Sequence, residues 1–350
     1  MTVRQSNIEL LRLISMLMIM ILHFNGHALT TSSTFCTAEG VLWNLVETLT
    51  ITAVSIFVLI SGYFGIHFKI KGVLKLYLRC LIWGLIGWLL YCIFNSSPIS
   101  ISKLLARFLP FTHGKWWFMV TYLELYFLSP LLNAAIGTFD KRKHIITILI
   151  FGFVTLYMGY CRETGEDTWG TSLSHFLWLY LIARYIRLYV NIEIIQNKRW
   201  LWLLGFIISS SVIFGLAALG TKFSLPVCLR AYPYCSPWVL IGAISLLLFA
   251  LSFDFENKVV NWFASSSLSA YLLQDSVYFG FGVLYPYIAC LLLPMPLLQR
   301  YVAMICFSIL WLLGICVIDK GWDYCFYRPI CKLYDYVYET YIPQSFKNIF

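Results

Sequence analysis

Residues 8–29 read Ile8-Glu9-Leu10-Leu11-Arg12-Leu13-Ile14-Ser15-Met16-Leu17-Met18-Ile19-Met20-Ile21-Leu22-His23-Phe24-Asn25-Gly26-His27-Ala28-Leu29. A helix needs about 20 mostly apolar residues to cross the hydrocarbon core of a bilayer. This stretch has that length and is polar at only a few positions. It is too long for a cleavable signal peptide, it carries Arg12 within it, and no small-residue cleavage site follows. It is therefore expected to stay as a first transmembrane helix.

Nine further runs of the same kind follow, at roughly 41–65, 76–94, 117–137, 145–161, 173–190, 200–219, 237–253, 260–285 and 299–318. None alternates apolar with polar as the strands of a membrane barrel do. The expected fold is all-α, a polytopic bundle of about ten transmembrane helices. Composition agrees: hydrophobic types make up 60% of the 350 residues, charged types 12%, and mean hydropathy is +0.79. A soluble domain carries about twice that charged fraction, so lipid must bathe most of the surface.

The net charge of +9 raises the question of nucleic acid. Its distribution answers it. With the N-terminus inside, 18 of the 25 Lys and Arg fall on inner segments and 7 on outer ones. That is the positive-inside bias, with both termini cytoplasmic; no nucleic-acid partner is expected. No Gly/Ser-rich or Pro-rich linker divides the chain. Residues 1–318 are expected to form one transmembrane domain and 319–350 a Tyr-rich cytoplasmic or interfacial tail. Chemistry must then sit among the helices. The eleven cysteines show no metal-type spacing; Cys228 and Cys235 share a predicted outer loop and are placed to pair.

Arg12 and His23 stand eleven residues apart, three helical turns plus roughly 20°, so they share a face about 16 Å apart along the axis. Ionisable groups at such depths are costly and usually face a bundle interior or water. Arg12 can hold phosphate or simply reach the inner interface; His23 can be catalytic or a packed, hydrogen-bonded histidine. His23 and His27 have the i, i+4 spacing of zinc ligands, but no third ligand is evident, and no metal is expected. Ser61-Gly62 in the second run suits close helix packing, or Ser61 and Tyr63 line a cavity. Glu124, two turns into the fourth helix, needs a partner or a proton, and serves either catalysis or an interhelical hydrogen bond. The ninth run carries a polar stripe, Ser265 to Ser269, Tyr271, Gln274 and Asp275, of the kind that lines cavities.

Taken in order, these segments resemble acyltransferase family 3, multi-spanning bacterial membrane enzymes that acylate cell-surface glycans. The hallmark Arg, ten residues, then His is met by Arg12 and His23. Phe57 to Phe64 resembles the Ser-Gly-Tyr/Phe signature, and Lys75 and Arg79 the basic edge of the third helix. Trp117 to Asn133 resembles the fourth-helix pattern ending Ser-Pro-Leu-Leu-Asn. Tyr234-Cys235-Ser236-Pro237 and Ser269-Ala270-Tyr271-Leu272-Leu273 are similar too. Many relatives carry His where this chain has Gln274, which can replace its hydrogen bonds but does not titrate.

The resemblance implies an acyl-CoA donor in the cytosol, commonly acetyl-CoA, and the hydroxyl of a glycan or glycolipid acceptor beyond the bilayer. Arg12, Arg79 and Lys75 would meet the CoA phosphates. His23 would act as general base or transient acyl carrier, with Glu124 as a second catalytic candidate. Ser61, Tyr63, Trp117, Tyr122 and Gln274 would line the cavity. The implied location is the cell membrane. The alternative is a transporter or flippase of a glycan or acyl intermediate. Such proteins often show inverted repeats with helices broken at matching points, and none is evident here. A structural partner with a degenerate site is a third class, against which the joint presence of Arg12 and His23 argues. Thiol release from acetyl-CoA separates the enzyme from both.

Overall fold

A computed structural model describes residues 5–29, 34–113, 116–162, 169–224 and 230–341. Every regular element among them is helical. The chain opens with α1 (Ser6–His27), α2 (Ala38–Thr50), α3 (Ala53–Phe64) and α4 (Ile70–Phe94). Two short helices, α5 (Ile101–Ala106) and α6 (Pro110–His113), lead to α7 (Trp117–Gly137). Next come α8 (Lys141–Thr155), widening into a π-turn over Leu156–Cys161, then α9 (Leu173–Tyr189), α10 (Ile192–Asn197) and α11 (Arg199–Phe223). The last part holds α12 (Pro237–Leu251), α13 (Lys258–Ala264), α14 (Leu268–Gln274), α15 (Tyr285–Leu292), α16 (Leu297–Trp322) and α17 (Arg328–Tyr341).

Seven stretches among the described residues are long and apolar enough to span a membrane, and the protein is a multi-pass membrane protein. Helix α1 is the hub. Ile8, Met16, Met20 and Phe24 have almost no exposure, and α1 touches α2, α3 and every helix from α12 to α16. A helix apolar all round belongs in the middle of a bundle. Gly62 sets the approach of α3 to α9: a Cβ there would lie 2.9 Å from the Tyr180 carbonyl. The Asn133 side chain at the end of α7 donates to the Ile66 carbonyl at 2.7 Å and accepts from the Tyr180 hydroxyl at 2.7 Å. The Ser-Pro-Leu-Leu-Asn stretch thus fastens α7 to α3 and α9.

Three of the ten expected spans, at 173–190, 237–253 and 260–285, fall in helices shorter than a full crossing, and the structure departs from the expected helices in two further ways. The ninth run is not one helix. It breaks between α13 and α14 at Ser265–Ser267 and again after Gln274. Broken backbone at membrane depth is tolerated only where it lines a cavity or is buried in protein, and Ser266 and Ser267 are both 1% exposed. The second departure is at the far end: α16 passes residue 318 without a break, through a π-turn over Asp323–Tyr327 into α17. Lys71 on α4 pairs with Asp335 on α17. Cys228 lies outside the described residues.

Candidate active site

Four cavities follow one another through the bundle, each sharing wall residues with the next. The first, about 650 Å³, is a basic mouth formed by Lys75, Arg79, Lys258, Lys320 and Arg328 with Trp262 and Tyr327. Lys320 sits 5.2 Å over the Trp262 ring. Arg79 lies 5.5 Å over Tyr327 and donates to Asp319 Oδ2 at 2.9 Å. Asp319 has no exposure; its other oxygen accepts from Trp83 Nε1 at 3.0 Å and Ser269 Oγ at 2.6 Å. A buried carboxylate so satisfied fixes the guanidinium at the cavity floor.

Arg79, Leu76 and Ser265 also wall the second cavity, about 290 Å³, where Arg12, Ser61 and Tyr122 meet. Arg12 Nη1 donates to both carboxylate oxygens of Glu9, at 2.9 and 2.8 Å. The Tyr122 hydroxyl lies 3.2 Å from Ser61 Oγ. Phe57, Phe118 and Leu268 then close this chamber down to a space of about 20 Å³ beside His23, Trp117 and Tyr271. That is room for about one water. Past this waist, His23, Trp117 and Tyr234 open onto the fourth cavity, about 590 Å³, which His27, Glu47, Trp169, Tyr232 and Asp275 complete.

At the waist, the His23 ring lies 5.7 Å from that of His27 and 6.0 Å from that of Tyr271. Its Nδ1 and the Tyr271 hydroxyl are buried, with Gln274 beside the imidazole and Asp275 beside the phenol. Gln274, fully buried beside His23, donates from Nε2 to the Met20 carbonyl at 3.1 Å. Its Oε1 is the acceptor that backs the imidazole. Trp117 stacks on Tyr234 with centroids 5.5 Å apart. Burial pushes the hydroxyls of Tyr232 and Tyr234 well above the usual phenol range, so both remain protonated and able to donate. The Tyr232 hydroxyl donates to Asn44 Oδ1 at 2.7 Å.

Arg12, His23, Lys75, Arg79, Ser61, Tyr122 and Trp117 therefore lie along one line of cavities, with Gln274 behind His23. Two candidates do not. Glu124 is exposed on the outer face of α7. Tyr122 faces the cavity, and two residues along a helix turn the side chain by about 200°. Tyr63 turns from Ser61 toward α9, where Arg187 Nη1 donates to its hydroxyl at 3.1 Å, and it lines a separate cavity with Asn7, Arg187 and Phe253. Neither can reach His23. The cavities also bring in Glu47, Lys258, Lys320 and Arg328, with Asp319 beneath the mouth, none of which a sequence motif marks as a site residue. A lone carboxylate inside the second apolar run was a usable signal for Glu47. Asp319, Lys320 and Arg328 went unread because a boundary at 318 set them in a tail. Among the described residues, no three His, Cys, Asp or Glu gather as metal ligands.

The sequence model of one protein family, described as an acyltransferase domain and corresponding to acyltransferase family 3, matches residues 5–318. No curated protein and no solved structure matches.

Proposed function

This chain belongs to acyltransferase family 3, and from that membership and the line of cavities we propose that it moves acetyl from cytosolic acetyl-CoA to a hydroxyl of a cell-surface glycan. The observation that carries this reading is the basic mouth joined to His23, with His23 opening at its other side onto a polar, aromatic vestibule. The cell membrane is the expected location, with the basic mouth toward the cytosol as the positive-inside rule asks.

The phosphates of CoA meet Lys75, Arg79, Lys258, Lys320 and Arg328, where charge-assisted hydrogen bonds are strongest. Trp262 offers a face on which adenine can stack. The pantetheine arm occupies the chamber of Arg12, Ser61 and Tyr122, and the thioester reaches the waist. An imidazole with an ordinary pKa near 6.5 is mostly neutral at physiological pH. His23 takes the proton of the acceptor hydroxyl as its oxygen attacks the thioester carbonyl. Tyr271 is the donor assigned to the oxyanion. Collapse forms the ester C–O bond and breaks the C–S bond. The leaving thiolate takes the proton from His23, releasing CoA toward the basic mouth.

The test is CoA release by purified, lipid-reconstituted protein supplied with acetyl-CoA and a panel of glycans. His23→Ala should lower the rate by about 10²–10⁴-fold at unchanged expression. Undiminished release by that variant would remove His23 from the chemistry. No release with any acceptor or acyl-CoA, alongside measured glycan movement, would favour a transporter.

A further inference from the structure

The two ends of the cavity line carry opposite electrostatics. The donor mouth is lined by five Lys and Arg side chains against one carboxylate, Asp323, which holds Arg328 Nε at 2.8 Å. The vestibule beyond His23 is lined by Glu47 and Asp275 and, among the described residues, by no Lys or Arg, the imidazole of His27 being its nearest approach to a cation. We propose that this vestibule is a sugar-binding subsite selective for units without an acidic group, so that neutral and amino sugars enter while uronate-type or phosphorylated units are turned away. Naming the occupant as the acceptor rests on the acyltransferase reading above; the selectivity itself does not.

Three observations support it. The volume, about 590 Å³, falls within the range of small-molecule sites. Trp117 and Tyr234, stacked on each other, both line the vestibule and supply aromatic surface of the kind the C–H side of a pyranose can cover. The polar groups around it suit hydroxyl and ammonium donors. Asn25 Nδ2 holds Glu47 Oε2 at 3.1 Å, which keeps that carboxyl in place, and a carboxyl oxygen accepts hydrogen bonds from hydroxyl and ammonium donors. A sugar carboxylate or phosphate here would be stripped of water with no Lys or Arg among the described residues to meet it, and a buried unpaired charge is among the costliest arrangements. The Tyr271 hydroxyl, buried beside His23 and next to Asp275, marks where the acceptor end would sit.

The experiment reads binding alone. Full-length protein in nanodiscs is titrated calorimetrically, without acetyl-CoA, with three trisaccharide probes: N-acetylglucosamine, glucosamine and galacturonate oligomers. The first two should bind, and galacturonate should bind at least about 10-fold more weakly. Glu47→Gln with Asp275→Asn, near-isosteric changes whose folding is checked by the thermal midpoint, should bring the probes within about 3-fold of each other. If the double variant fails to fold, each single variant should narrow the gap part way. Equal binding of galacturonate and the neutral probe, or binding of none, overturns the proposal while leaving acetyl transfer standing. Intact discrimination without CoA release toward any acceptor would sink the transferase reading and leave the sugar site.

Discussion

Asp319 shows how one residue can aim another. It has no exposure and accepts from Arg79, Trp83 and Ser269, so it ties α16 to α4 and α14 directly beneath the basic mouth. Removing one partner of a buried ion pair strands the other and typically costs about 3–5 kcal/mol. Asp319→Ala is expected to lower the thermal midpoint and raise the KM for acetyl-CoA. Asp319→Asn, which still accepts hydrogen bonds, should recover much of the stability while keeping part of the KM defect. Equal KM values for all three proteins would confine Asp319 to stability. The position also shows what sequence could and could not say at this scale. Arg12 and His23 were legible because eleven residues bring a helix back to the same face. Glu124 and Tyr63 were misjudged because spacing relates side chains to one another but does not say which face of α7 or α3 looks inward. That is decided by packing: Gly62 against Tyr180, and Tyr122 toward Ser61.

At the scale of elements, the waist is made by Phe57 of α3, Phe118 of α7 and Leu268 of α14, three helices far apart in sequence. Phe118 touches both sides of it, stacked on Tyr122 at 5.8 Å and edge-on to Tyr271 at 6.3 Å. Its bulk separates the donor chamber from the vestibule, so it should keep vestibule water from the thioester until an acceptor hydroxyl replaces it. Phe118→Ala is expected to raise CoA release several-fold in the absence of acceptor while lowering the fraction of acetyl that reaches glycan. A variant whose acceptor-free release stays at the wild-type level would show that the ring is packing and no barrier. Seven of the ten apolar runs lie in helices long and apolar enough to span a membrane, while those at 173–190, 237–253 and 260–285 fall in shorter helices. The breaks at Ser265–Ser267 and after Gln274 were not foreseen: a run of serines fits a helix interior as well as a break until something else needs the space. Here Ser265 walls both donor-side cavities, and its hydroxyl partners Lys320.

Across the whole molecule, the placing of charge separates two substrates that must meet at one histidine. Five cations with the single carboxylate of Asp323 gather at one mouth, two carboxyls line the other, and a space of about 20 Å³ lies between. An anionic nucleotide thioester is drawn to the first end, and the waist is too narrow for its phosphates. The acyl group alone is expected to pass His23. In sealed proteoliposomes of known orientation, read by a protease-accessible C-terminal tag, acetyl-CoA on the basic-mouth side should react and release its CoA on that same side. The acetyl ester should appear on glycan supplied to the other. Raising ionic strength should increase the KM for acetyl-CoA and leave kcat nearly unchanged, since screening weakens attraction at an open mouth far more than chemistry in an enclosed waist. Equal reaction from acetyl-CoA added to the vestibule side of intact vesicles would overturn this arrangement, because the donor would then have to enter past Glu47 and Asp275, where among the described residues no Lys or Arg meets its phosphates.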